Sequence, residues 1–110
     1  MNKRRAIPDL SRFDCDDYAH SDLAHVGFCD EQNRCWLVVP VSDAEELKDF
    51  NGRSLNFLSI GRPGVDGIAF GYRTGHPGVW AYYPSEGRFE LVAKTAQELI
   101  AEWQAGRFKL

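Results

Sequence analysis

No apolar run in this chain approaches the roughly 18–20 residues of a membrane-spanning helix. A secretory leader pattern is also missing, because Lys3, Arg4 and Arg5 are followed by Ala6-Ile7-Pro8-Asp9 and not by an apolar segment. Both absences lead to the expectation of a cytoplasmic protein without membrane attachment. Cysteine is scarce and odd in number, at Cys15, Cys29 and Cys35. Three thiols do not make a disulfide framework and read as reduced groups in a reducing compartment. Cys29 and Cys35 flank a hairpin loop, so their pairing on oxidation stays open. There is no internal repeat, linker or low-complexity segment.

Basic clusters are also missing from the front of the chain beyond its first five residues. Between Asp9 and Asp49 eleven acids face three bases, a net of −8, whereas from Phe50 onward seven bases face five acids, a net of +2. A front half of that sign disfavours nucleic acid, which demands clustered Lys and Arg against phosphate. It suits a basic protein partner, whose approach it would steer, or it serves solubility alone. The total of 110 residues, 44% hydrophobic and 26% charged, is that of one ordinary globular domain spanning residues 1–110. Such a domain hides roughly 60–70% of its unfolded surface and folds without staples.

Ile7, Leu10 and Phe13 fall at helical spacing and predict a short helical turn after Pro8, which takes a first-turn position. The acidic piece from Asp14 to Asp22 has no clear pattern. Leu23–Cys29 and Cys35–Val41 read as strands around a loop of Asp30-Glu31-Gln32-Asn33-Arg34, hence a hairpin. Ser42-Asp43-Ala44-Glu45 is a capping box and predicts a helix through Phe50, stopped by Asn51-Gly52. Ala44 and Leu47 would be its buried points.

From Leu55 onward short β-rich runs alternate with glycine turns. Ile68, Phe70 and Tyr72 form one bulky face, and Trp80 and Tyr82 alternate with Val79, Ala81 and Tyr83. The large members, Trp80 and Tyr82, are expected to fill a core between sheet and helix. Thr95-Ala96-Gln97-Glu98 is a second capping box, followed by an apolar stripe of Ala96, Leu99, Ile100 and Trp103 that ends at Gly106. The expected fold class is therefore α+β: a single domain with a largely antiparallel twisted sheet of about five to six strands and helices packed on one side.

Cys15, His20, His25, Cys29 and Cys35 carry donor atoms that zinc accepts, but they lack the close pairing of structural sites. Packing as small apolar groups is the better reading of the two hairpin cysteines. Asp14, Asp16 and Asp17 around Cys15 oppose thiolate formation, against nucleophilic catalysis there. His76 lies in a Gly/Pro turn, and Glu98 and Glu102 share a solvated helix face. Gly61-Arg62-Pro63-Gly64-Val65-Asp66-Gly67 lacks the lysine and following helix of a phosphate loop, so its glycines read as turn residues. No enzyme motif, cofactor site or metal site is expected.

Phe57-Leu58-Ser59-Ile60-Gly61, the turn ending Asp66-Gly67, the Val79-Trp80-Ala81-Tyr82 strand and Val92-Ala93-Lys94-Thr95 before the last helix together resemble the SUKH superfamily, the Smi–Knr type domains. The resemblance covers roughly Phe50 to Trp103. It implies an α+β fold without shared catalytic residues, and Gly61, Asp66 and Gly67 match the family's turn. Many bacterial members look like immunity proteins of polymorphic toxin systems. The family usually has a longer N-terminal region with well-marked helices, whereas the first 41 residues here read as short and partly β.

The expectation is thus an immunity or antitoxin protein that neutralises a cognate toxin with a basic surface, a nuclease being one option, as a monomer or weak dimer. Aromatic anchors within an acidic rim suit such contacts. The expected partner-binding residues are Asp14, Asp16, Asp17, Tyr18, Asp22, Asp30, Glu31, Trp36 and Tyr83. The alternatives are a regulatory or scaffold module that inhibits nothing, and a small metal-dependent enzyme built on the Cys/His set.

Overall fold

The computed structural model describes residues 9–107. The chain opens on a 3-10 turn (Leu10–Arg12) and two short helices, α1 (Asp16–Ala19) and α2 (Leu23–Val26). A hairpin of β1 (Phe28–Asp30) and β2 (Cys35–Val38) follows, then a second 3-10 turn (Val41–Asp43). The remainder is a meander of β3 (Glu45–Lys48), β4 (Ser54–Gly61), β5 (Ala69–Arg73), β6 (His76–Tyr83) and β7 (Arg88–Ala93), closed by α3 (Ala96–Gln104). All five meander strands pair antiparallel with their sequence neighbours, and β1–β2 forms a separate two-stranded sheet. The expected α+β class, antiparallel sheet and one-sided helices are all present.

The sheet's inner face is built from Leu58, Ile60, Phe70, Tyr72, Val79, Ala81 and Ala93, all buried. Against it pack Tyr18 of α1, Leu37 and Val38 of β2, and Ala96 and Leu99 of α3, in one hydrophobic cluster. Trp80 and Tyr82 do not join this core, contrary to expectation; Val79 and Ala81 do. The reason is volume. Phe13, Tyr18, Leu37 and Trp103 bring the bulk from the covering layer, so small residues fit opposite them at native packing density.

β2 is stitched to the end of β4 beyond the edge of the main sheet. The Val39 amide donates to the Ile60 carbonyl at 2.6 Å, and the Arg62 amide to the Trp36 carbonyl at 2.9 Å. Gly61 makes this crossing possible: a Cβ there would lie 1.7 Å from the Leu37 carbonyl oxygen. It is therefore a close-approach glycine inside a strand, not the turn residue expected, whereas Asp66 and Gly67 are true turn positions with φ 51° and 73°.

Two local expectations fail. The capping box at Ser42 does not start a helix; residues 45–48 form the edge strand β3, with Glu45 opposite Ser59 and Glu46 opposite Leu58. A buried Ala44 and a half-buried Leu47, three apart, fit the helical period, but pairing with β4 overrides that local signal. Leu23–Val26 is helical rather than extended, and Gly27 at φ 67° turns the chain into the shorter strand β1. The 3-10 turn covers Leu10 and places Phe13 in the core, while Ile7 and Pro8 lie outside the described residues. α3 is capped as expected: Thr95 Oγ1 accepts from the Glu98 amide at 3.0 Å, and Glu98 Oε1 from the Lys94 amide at 2.8 Å.

Candidate interaction surface

α1 sits where the acidic front half meets the sheet. Tyr18 is fully buried, its ring 6.3 Å from that of Tyr72 and its hydroxyl donating to the Val39 carbonyl at 2.7 Å. It is a core residue and not a contact residue, which corrects the expectation from sequence. Asp17, half-buried, is likewise engaged inward. Its Oδ2 accepts from the Tyr72 hydroxyl at 2.7 Å and from the Ala96 amide at 2.9 Å, the latter in the first turn of α3. One carboxylate thus ties α1, β5 and α3 together.

Much of the front half's negative charge is consumed in the same way. Asp9 accepts from Ser11, and Asp49 accepts from the Asn51 and Arg53 amides. Glu45 pairs with Arg62 at 3.1 Å, and Glu46 pairs with Arg12 at 2.8 Å and also accepts from the Ser54 hydroxyl. Asp30 accepts from the Gln32 and Asn33 amides and from Trp103 Nε1 at 2.5 Å, locking the hairpin loop against α3. The Asn33 side chain and then Trp103 hold its carboxyl below the usual range. Asp17 and Asp30 are therefore structural carboxylates first.

Asp14, Asp16, Asp22 and Glu31 differ. All four are exposed, and their carboxylates take no hydrogen-bond or ion-pair partner among the described residues. Asp14 lies just before α1, Asp16 opens it, and Asp22 precedes the adjoining α2. Their field is felt locally: the Cys15 thiol is pushed up to about 11, first by burial, then by Asp17, Asp16 and Asp14. Trp36 is 47% exposed on β2, as a contact residue requires. Tyr83 faces the inner side, half-buried, with the Arg88 guanidinium 4.1 Å from its ring centre. That covered position makes it a poor anchor, another departure from expectation.

The Cys/His set is not assembled. Cys15 is buried and donates to the Leu10 carbonyl, while His20 and His25 are exposed. Cys29 lies opposite Trp36 and Cys35 opposite Asp30, so the two thiols point to opposite faces of the hairpin and are not placed to pair. Among the described residues no three His, Cys, Asp or Glu side chains converge as metal donors would. No helix among them is long and apolar enough to cross a membrane.

The surface that sequence reasoning missed is the sheet's outer face, which no helix among the described residues covers. Phe57, Tyr82 and Phe89 pack there with ring centres 5.0–6.0 Å apart, over a bed cut by Gly71. Arg73 lies 4.6 Å from the Trp80 ring centre and 4.3 Å from that of Phe89. The guanidinium occupies the ring faces that a nucleobase would need for stacking, which argues against a nucleic-acid platform. Phe50, 98% exposed at the β3–β4 turn, stands at one end of this face. Strand alternation was the signal available: Phe57, Arg73, Tyr82 and Phe89 share one parity once the register is known. Comparison with protein-family models, with curated proteins and with solved structures finds no significant match to this chain.

Proposed function

We propose that this chain is a cytoplasmic binding protein of the immunity type, which neutralises a toxin by presenting an acidic face to the toxin's basic groove. The observation that carries the reading is the division of labour among the acids. Asp9, Asp17, Asp30, Glu45, Glu46 and Asp49 hold turns, caps and ion pairs, whereas Asp14, Asp16 and Asp22 stand exposed around α1 and α2 with no internal partner among the described residues. Charges left unneutralised on one short helical unit create a field that speeds encounter with a cation-lined cleft. Glu31 and the half-exposed Trp36 extend the proposed contact along the hairpin. The SUKH resemblance supports the same reading, since it implies toxin neutralisation without catalysis.

The test is genetic. A candidate toxic domain, sought in the neighbouring open reading frames, is expressed in a sensitive host with and without this chain, and survival is scored. Protection by the wild type, lost when Asp14, Asp16 and Asp22 are all replaced by Asn, is the expected result. Failure of the wild type to protect contradicts neutralisation. Binding without protection would instead place the protein among non-inhibitory modules.

A further inference from the structure

We propose that the outer face of the sheet around Arg73 is a second interaction surface, which docks a protein segment carrying a carboxylate between apolar side chains.

Arg73 is the arginine most withdrawn from water among the described residues, and it has no acid beside it. Arg12, Arg62, Arg88 and Arg107 are exposed, and each pairs with a glutamate. Arg34 and Arg53 are exposed to water. Arg73 is half-buried, its guanidinium 4.3 Å from the ring centre of Phe89 and 4.6 Å from that of Trp80. Among the described residues no side chain or carbonyl accepts from it. Ring contact occupies the flat side of a guanidinium and leaves the five N–H donors at its edge. A cation partly drawn out of water with those donors unfilled is stabilised by an acceptor brought from outside. A carboxylate matches the donor fork with two parallel hydrogen bonds.

The surroundings decide what that carboxylate is attached to. Strands β6 and β7 turn Trp80, Tyr82, Phe89 and Leu91 to the same side, with Leu91 54% exposed. Arginine set among Trp and Tyr is the composition of an interface anchor. The nearby acids are engaged elsewhere. Glu90, of opposite parity to Phe89 and Leu91, pairs with Arg88 beside Tyr83, and Glu45 on β3 pairs with Arg62. The charge that these rings hold is therefore positive, and it complements a segment of the reverse sign. A free anion would use the guanidinium alone, whereas a segment with its own apolar side chains also covers the rings around it. This surface lies across the sheet from α1, so it stands independently of the acidic face and gives the chain two contact surfaces of opposite sign.

The experiment titrates the full chain with two capped peptides, acetyl-Gly-Leu-Glu-Phe-Gly-amide and its Gln counterpart, and follows amide, indole and guanidinium signals by NMR. The Glu peptide should bind with a dissociation constant of roughly 1 mM or below, with shifts centred on Arg73, Trp80, Phe89 and Leu91. The Gln peptide should bind about tenfold or more weakly than that. Arg73→Gln should hold both peptides with the same weak affinity. Should Arg73→Gln fail to fold by circular dichroism, the two peptides on the wild type decide. No shift with either peptide up to about 10 mM, an equal response to both, or a preference for Glu that survives Arg73→Gln would each overturn the proposal. Inorganic phosphate that shifts the same signals as strongly as the Glu peptide would assign Arg73 to free anions and overturn it too.

Discussion

Replacing Asp17 tests the architecture at its most connected point. The Asp17 carboxylate receives the hydroxyl of a fully buried Tyr72 and the first free amide of α3, two of the polar ties between the front half and the rest of the chain. A hydrogen bond to a charged acceptor contributes about 1.5–3 kcal/mol. The two share one oxygen and Asp17 is only half-buried, so Asp17→Ala should cost about 2–3 kcal/mol, less than their sum. For a domain of this size that is a fall in Tm of roughly 10–20 °C. Tyr72→Phe removes one donor and leaves the α3 cap, so it should cost about 1–2 kcal/mol. A double-mutant cycle by urea unfolding should return a coupling of about 1 kcal/mol or more between the two positions. Asp17→Ala within about 0.5 kcal/mol of wild type, or no measurable coupling, would refute the claim that this carboxylate joins three elements.

Three further outcomes are expected. Gly61→Ala forces a methyl into the Leu37 carbonyl and should cost about 3 kcal/mol or abolish soluble expression, while Gly75→Ala, with open space but φ 78°, should cost about 1 kcal/mol; urea midpoints compare them. Stability should fall at alkaline pH, because the folded state holds the Cys15 thiol at about 11 against an ordinary 9.0, and burial raises Tyr18 and Tyr72 as well. Groups raised on folding contribute fully below their ordinary values and lose that contribution as pH climbs, so the urea midpoint should hold to about pH 9 and then drop, less steeply in Cys15→Ala; a flat profile to pH 11 contradicts this. Thiol labelling at neutral pH should modify partly exposed Cys29 before buried Cys15 and Cys35, and mild oxidation should leave Cys29 and Cys35 unlinked, as mass spectrometry would show.

Strands β4 to β7 and the last helix were legible in the sequence because two independent signals agreed there. Glycine turns bounded each strand, and the Thr95 capping box preceded a stripe that does face the core. The Ser42 box misled because a cap is only a local preference, and the open edge of β4 offers residues 45–48 a full ladder of hydrogen bonds. Which side of β6 faces inward was not legible, since both of its faces are apolar and the choice rests on what covers them. The acids could be counted but not sorted. That Asp17 and Asp30 are structural, and Asp14, Asp16 and Asp22 are not, follows from donors as distant along the chain as Ala96 and Trp103. Tyr18 fell to the same long-range packing, through Val39 and Tyr72.

Under the proposed function the exposed acids around α1 and α2 act by attracting a basic partner. The most direct measurement is the association rate of this chain with the cognate toxic domain that the proposal requires, followed by stopped flow across a range of ionic strength. The account predicts a rate that falls steeply with added salt and drops about tenfold or more when Asp14, Asp16 and Asp22 are replaced by Asn, with the dissociation rate little changed. A rate indifferent to salt and to all three substitutions would contradict it.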